Sequence, residues 1–291
     1  MARSVIHGDS VEIMLHEAFL AFRQGNWRQD AAALVHRLMM TILLHSTRRV
    51  WMSTPGIGPI CKPYAFGRSI TFGWLPIPST VPVTAAPGDV AGVRRCYQLN
   101  GQPLVGHFGT FGDQTAPFLE MILPGFLAKC GSASLLLIGR DSDAFQRHLL
   151  ETYPEFAGRV HSTGHIDDFY ELSCHLSACD LMLQPYPDGI NTRRTSMMAA
   201  LAHGRPIVTT SGLNTEDFWA QSGAVAIAPV HQTDAFIDAA EALLMDERAR
   251  TRMGAAASML YQRRFDIHNV VNTLHNARDK DKLSATASET A

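Results

Sequence analysis

The feature that most constrains the fold of this chain is a rhythm in its second half. From Gln102 onward, short apolar runs recur between amphipathic stretches: PLVGHFG, SLLLIGR, RVHSTG, DLMLQPY, PIVTT and AVAIAPV. Runs without polar alternation read as strands buried on both faces. The stretches between and beyond them carry helical spacing, over Thr115–Lys129, Ala144–Thr152, Asp167–Ala178, Arg194–His203, Thr233–Met245 and Asp246–Arg264. Strands alternating with helices predict an α/β fold with a parallel sheet. Such a sheet takes ligands at the C-terminal ends of its strands, where the strand order reverses.

The first half carries a shorter version of the same pattern. An apolar strand, VEIML, lies within Ser4–Glu17, a helix over Arg28–His45, and another apolar segment over Arg49–Thr54. From Pro55 the chain fills with breakers, PGIGPICKPYAFG and then WLPIPSTVPVTAAPG. Proline fixes φ and removes a backbone donor, so this stretch predicts loop and linker. A length of 291 residues exceeds what one core of about 150 residues absorbs. The expected division is a partial domain and linker over 1–97, a second domain over 98–278, and a polar, disordered tail over 279–291.

Composition narrows the function. Lys+Arg 25 against Asp+Glu 27 leaves a net charge of −2, which gives no basic field for nucleic acid. No apolar run reaches the length of about 18 residues that a spanning helix needs, so no transmembrane segment is expected. The opening MARSVIHGDSVEIML lacks the pattern of a secretory signal. Five cysteines, at 61, 96, 130, 174 and 179, form no CxxC pair and no zinc spacing. A reduced, cytoplasmic setting is the expectation, with peripheral membrane contact left open.

The most informative segment is PYPDGINTRRTSMMAALAHGRPIVTT, Pro185–Thr210. A strand ends at Tyr186, and a turn through Asp188 redirects the chain. Asn191 then precedes a helix whose start carries Arg193, Arg194, Thr195 and Ser196. A helix N-terminus presents unpaired N–H groups and the positive end of the dipole. Arginines are poor structural choices there, but they suit a phosphate or diphosphate. Gly109, Thr110 and Gly112 in GHFGTFG form a second candidate, since glycines admit a ligand to the backbone. The competing reading is a tight strand-to-helix turn. Arg140 stands at a strand's C-terminal end, within reach of a ligand phosphate. Asp141 and Asp143 form an Asp-x-Asp pair, better read as a helix cap than as metal ligands. His16 closes the first apolar strand and is either structural or a general base or hydrogen-bond donor to substrate.

The run from Arg159 to Ser211 resembles the donor-binding half of GT-B-fold glycosyltransferases of the family 4, or group 1, type. The matching pieces are Gly164-His165-Ile166, the strand Cys179–Leu183, and Ala200-Leu201-Ala202-His203-Gly204-Arg205-Pro206-Ile207-Val208. The resemblance covers about Gln102–Ala277 and extends back to residue 10. It implies a GT-B-like fold of two Rossmann-like domains, the first one partial and entered partway through. It also implies transfer of a sugar from a nucleotide-diphosphate sugar, with retention of configuration, no catalytic metal and no cofactor beyond the donor substrate. Residues Asn191–Ser196 are then expected at the diphosphate. Gly109–Gly112 are expected under the donor, His165 and Ile166 near the base, and Asp188 as a shaper of the donor loop. His16 takes a catalytic role near the transferred sugar. The acceptor, whether glycan, lipid-linked or small molecule, is not named by the resemblance.

The chain departs from the family pattern in two places. Ala199 stands where the family's second glutamate holds the ribose. GHFGTFGDQ replaces the usual arginine and lysine, and Arg193 and Arg194 are the expected compensation. Two other functions are compatible with the same residues: a nucleotide-sugar epimerase or hydrolase, and a non-catalytic nucleotide-binding scaffold.

Overall fold

The computed structural model describes residues 11–23, 25–97 and 101–289. The start of the expected first strand segment, 4–10, and Leu99 lie outside these residues. The chain forms two units, Met1–Ile77 and Pro78–Ala291.

In the first unit, β1 (Glu12–Leu15), α1 (Trp27–His45), β2 (Arg49–Met52), α2 (Ile57–Cys61) and β3 (Thr71–Trp74) follow in order. The three strands pair in parallel in the order β1-β2-β3. Asn26 caps α1 by accepting a hydrogen bond from the Gln29 amide at 3.2 Å. One face of α1 supplies Met40 and Leu44 to a core with Leu15, Val50, Met52, Ile57 and Cys61.

The stretch expected to be loop and linker after Pro55 is more regular than its prolines suggest. It contains α2, a 3₁₀ turn at Lys62–Ala65, β3, and α3 (Pro87–Tyr97). The reason is positional. Pro63 lies at the start of the 3₁₀ turn and Pro87 opens α3, where a missing N–H costs nothing.

The second unit continues with β4 (Leu104–Phe108), α4 (Ala116–Lys129), β5 (Ser134–Ile138), α5 (Ser142–Thr152), β6 (Val160–Ser162) and α6 (Phe169–Ala178). Then come β7 (Leu181–Gln184), α7 (Thr195–Ala202), β8 (Ile207–Ser211), α8 (Phe218–Gln221), β9 (Ala226–Pro229), α9 (Thr233–Met245), α10 (Glu247–Leu260) and α11 (Ile267–Glu289). The six strands are all parallel, in the order β6-β5-β4-β7-β8-β9. The order therefore reverses between β4 and β7, which makes that junction the ligand-accepting edge. Leu119, Ile122, Phe126, Leu135, Leu137, Leu183 and Phe236 fill the core on one side of the sheet.

The division between the units falls at Ile77 and Pro78, not at 97 and 98. Residues 78–97 are tied to the second unit by specific bonds. Ser173 Oγ accepts from the Thr84 and Ala85 amides at 3.1 and 3.3 Å, and its hydroxyl lies 2.9 Å from His203 Nε2. Arg94 grips the Asp180 carboxylate with two bonds of 2.9 Å, and that carboxylate also accepts the Leu104 amide at 2.8 Å. The tail expected to be disordered is helical as far as Glu289, since α11 continues through it. The segment has no glycine or proline to stop a helix.

A candidate anion pocket at the strand-order reversal

A cavity of about 570 Å³ opens at the C-terminal edge of the second unit's sheet. Gly109 and Thr110 enter it from the end of β4, Gly139 and Arg140 from β5, His165 and Ile166 from beyond β6. Gln184 and Tyr186 come from β7, and Arg193, Arg194, Thr195 and Ser196 from the start of α7. Val81, Phe169 and Leu172 add an apolar wall.

The strand ends approach each other so closely that one position admits glycine alone. Gly139 has φ of 123°, and a Cβ there would lie 2.2 Å from the Gly109 carbonyl oxygen. That contact is backbone against backbone and cannot relax by a side-chain rotation. Gly139→Ala is expected to lower stability by about 2 kcal/mol, through both strain and displacement of the Gly109 loop. Urea denaturation checks this, and an unchanged midpoint would refute it.

The anionic-ligand corner is built from the turn after β7. Gly189, with φ of 86°, lets this turn pass against the backbone of Gly212. Glu216 then fixes the chain at Thr192. It accepts from the Thr192 amide at 3.1 Å and the Thr192 hydroxyl at 2.7 Å, while its other oxygen takes the Trp219 indole N–H at 2.8 Å. Asn191 is fully buried, and its Oδ1 accepts the Arg193 amide at 3.3 Å. The chain is thereby delivered to Arg194, the N-cap of α7, which cannot accept a hydrogen bond from the first turn; no side chain caps the helix.

Asp188 does not line the cavity. Its carboxylate pairs with Arg194 and, at 3.4 Å, with Arg193, and accepts from Asn214 at 3.3 Å. It holds the two guanidinium groups in place while offsetting one of their charges. The Arg194 guanidinium also lies over the Tyr186 ring, 4.7 Å from its centroid. The Tyr186 hydroxyl meets Ser196 Oγ at 2.9 Å, and burial pushes its pKa up to about 12.

The structure thus brings Gly109, Thr110, Arg140, His165, Ile166, Arg193, Arg194, Thr195 and Ser196 to one cavity. Three others stand off its wall. Gly112 sits in the turn that starts α4, its carbonyl accepting from the Thr115 and Ala116 amides at 2.9 Å each. Asp188 and Asn191 act from behind the arginines. His16 belongs to the first unit, where it is exposed just after β1 and its carbonyl accepts from Ser53 Oγ at 3.3 Å. Asp141 occupies the N-cap position of α5 in a left-handed conformation, with no capping hydrogen bond from its side chain, and Asp143 lies in the first turn. Among the described residues, no group of three or more His, Cys, Asp or Glu side chains could hold a metal ion. No described helix is long and apolar enough to cross a membrane.

Sequence reasoning passed over His107, Gln184 and Tyr186. The available signal was a polar residue inside an otherwise apolar strand, LVGHF and LMLQ. His107 is almost fully buried, and burial pushes its pKa down to about 4.

Comparison with known proteins agrees with this architecture. The family model described as "Glycosyl transferases group 1" matches residues 102–246, just under half of the chain. No curated protein matches the chain in sequence. Among solved structures, HepE from Anabaena, in complex with UDP and glucose, superposes with a TM-score of 0.72 at 14% identity, over 95% of this chain and 73% of that one. The sucrose-phosphate synthase of Thermosynechococcus elongatus gives 0.72 at 16% identity, over 94% and 68%. WaaG, a glycosyltransferase involved in lipopolysaccharide biosynthesis, gives 0.65 at 14% identity, over 89% and 75%. The parallel sheet, the strand order and these matches together identify the chain as one with a group 1 glycosyltransferase-like, GT-B fold, its family-matching part lying within the second unit.

Proposed function

We propose that the cavity of the second unit binds the nucleoside diphosphate of an activated sugar, and that the protein transfers this sugar to an acceptor hydroxyl. The observation that carries the reading is the corner formed by Arg193, Arg194, Thr195 and Ser196 at the uncapped start of α7, on the strand-order reversal. Transfer breaks the bond between the anomeric carbon and the diphosphate oxygen and forms one to the acceptor oxygen. Negative charge grows on the departing phosphate, whose oxygen takes up the proton of the acceptor hydroxyl, so that the products are the glycosylated acceptor and the nucleoside diphosphate. Fixed guanidinium groups and helix N–H groups aimed at that charge stabilise it more in the transition state than in the bound donor.

Transfer without a metal is proposed because this corner itself supplies the positive charge that a divalent ion otherwise brings. Retention of configuration rests on the family resemblance. Arg140, exposed on the wall, is assigned to the outer phosphate. His16 is assigned to the sugar or acceptor. Its replacement by alanine should reduce turnover and leave nucleotide affinity unchanged.

The similar HepE structure holds UDP, which makes UDP the first nucleotide to try. Thermal shifts with UDP, GDP, ADP, CDP and dTDP test the reading. A ligand at about 100 times its dissociation constant should stabilise the fold by about 2.7 kcal/mol. One nucleoside diphosphate should raise the melting temperature, and its sugar conjugate should yield a glycosylated acceptor. Absence of any shift would overturn the reading. Release of free sugar alone would change the reaction to hydrolysis.

A further inference from the structure

Gln184 is fully buried at the end of β7, and its amide nitrogen has no hydrogen-bond partner among the described residues. Buried polar groups are nearly always paired, and an unmet donor is rarer than an unmet carbonyl. The amide oxygen stands 3.4 Å from the Tyr186 hydroxyl. The two ends of an amide differ in role but hardly in shape, so the surrounding network decides which way it faces. With the nitrogen turned to the phenol, Gln184 donates to the Tyr186 oxygen. An unmet acceptor, the better tolerated of the two, then replaces the unmet donor.

That orientation gives a chain of hydroxyls its direction. The phenol has one proton, and burial keeps it in place at neutral pH. With its oxygen accepting from Gln184, Tyr186 donates to Ser196 Oγ, 2.9 Å away. The phenol thereby occupies one side of the serine oxygen, and the serine keeps its own proton for another group. A serine in the first turn of a helix otherwise spends that proton on nearby backbone. Ser196 lines the cavity next to Arg193, Arg194 and Thr195, so the proton has the cavity to face.

Tyr186 acts on the neighbouring cation as well. The Arg194 guanidinium lies over its ring, 4.7 Å from the centroid, where the ring face attracts positive charge. The tyrosine is itself held from β8. Its amide donates to Thr210 Oγ1 and its carbonyl accepts from the same hydroxyl, each at 2.7 Å. We propose that Tyr186 is a positioning residue for the anionic ligand: its hydroxyl turns Ser196 into a donor toward the phosphate, and its ring holds the Arg194 guanidinium at the same corner. An ionised phosphate oxygen accepts and does not donate, so the direction of the serine proton decides whether Ser196 binds it or opposes it. This inference rests on the donor-binding reading and adds what sets the direction of the corner's donors.

Titration calorimetry with UDP, GDP and ADP tests the chain on the wild type, Tyr186→Phe, Ser196→Ala and the double variant. Tyr186→Phe keeps the ring beside Arg194 and removes the hydroxyl alone. It should weaken the nucleotide that the wild type binds by about tenfold. Ser196→Ala should lose a similar factor. The double variant should bind no more weakly than either single one, because both changes remove the same donor. Ser196→Thr, which keeps a hydroxyl, should bind as the wild type does. Losses that multiply in the double variant would give the two residues independent roles and overturn the proposal. So would a Ser196→Thr variant as weak as Ser196→Ala. Should Tyr186→Phe not fold, unchanged affinity in Ser196→Ala would still overturn it. If the wild type binds none of these nucleotides, the donor-binding reading falls and takes this proposal with it. Wild-type binding that persists undiminished in Tyr186→Phe removes the proposal alone.

Discussion

Arg194→Ala is expected to weaken nucleoside diphosphate binding by about 10- to 100-fold, while Asp188→Asn strengthens it. The two variants separate a ligand-binding arginine from a merely structural one. Arg194 pairs with Asp188, stacks on Tyr186 and lines the cavity. If its role were only to neutralise Asp188, then removing either partner would perturb the same turn and weaken binding in both cases. If the cluster serves an anion, Asp188 is a competitor for the guanidinium groups as well as their support. Replacing its carboxylate by an isosteric amide retains a hydrogen-bond acceptor and removes a negative charge beside the phosphate. The helix behind them should persist in both variants, because Met197, Met198, Ala200 and Leu201 anchor α7 in the core. Calorimetric titration at fixed ionic strength provides the comparison. Losses of equal size in the two variants would reduce Arg194 to a structural residue.

The second large effect is on stability in acid. Burial lowers the His107 pKa from 6.5 to about 4 in the folded chain. Below about pH 6.5 the unfolded chain binds a proton that the folded chain refuses, so unfolding gains as the pH falls. The stability contribution is intact above the unfolded value and declines as the pH drops toward the folded one. Over that window the ring alone should cost about 3 kcal/mol. His161 and His203 are shifted in the same direction, also chiefly by burial, and steepen the same decline. Urea unfolding of the wild type and His107→Leu at about pH 7 and pH 4 isolates the term. The wild type should lose more stability than the variant over that interval, by about the stated amount. Parallel losses would show that His107 titrates normally, with water reaching it through the cavity.

The second unit was largely legible in the sequence because its strands are apolar throughout. LVGHF, SLLLI, LMLQ and IVTTS needed no alternation to be recognised, since helices cover both faces of the sheet. The missed elements, α2, β3 and α3, lie among prolines. A proline's effect depends on whether it opens a helix or interrupts one, and at Pro63 and Pro87 it opens one. The arginine corner was legible for another reason. Arg193, Arg194, Thr195 and Ser196 are contiguous, so one helix start gathers them whatever the rest of the chain does.

Other parts of the site depended on residues distant in the chain. His107 and Gln184 border one cavity only because β4 and β7 are neighbours, and the strand order is a property of the assembled sheet. Glu216 reaches back to lock Thr192 through the same packing. The sequence makes Asp188 a shaper of the donor loop, and only the packing turns its carboxylate to the arginines. By itself the sequence determined the order of strands and helices and the local concentration of phosphate-binding groups, because both depend on residues close along the chain. The tertiary structure alone decided which strand ends border the cavity, how much of the arginine charge is offset, and where the units divide. Those depend on which distant segments the sheet and its helices bring within hydrogen-bonding range.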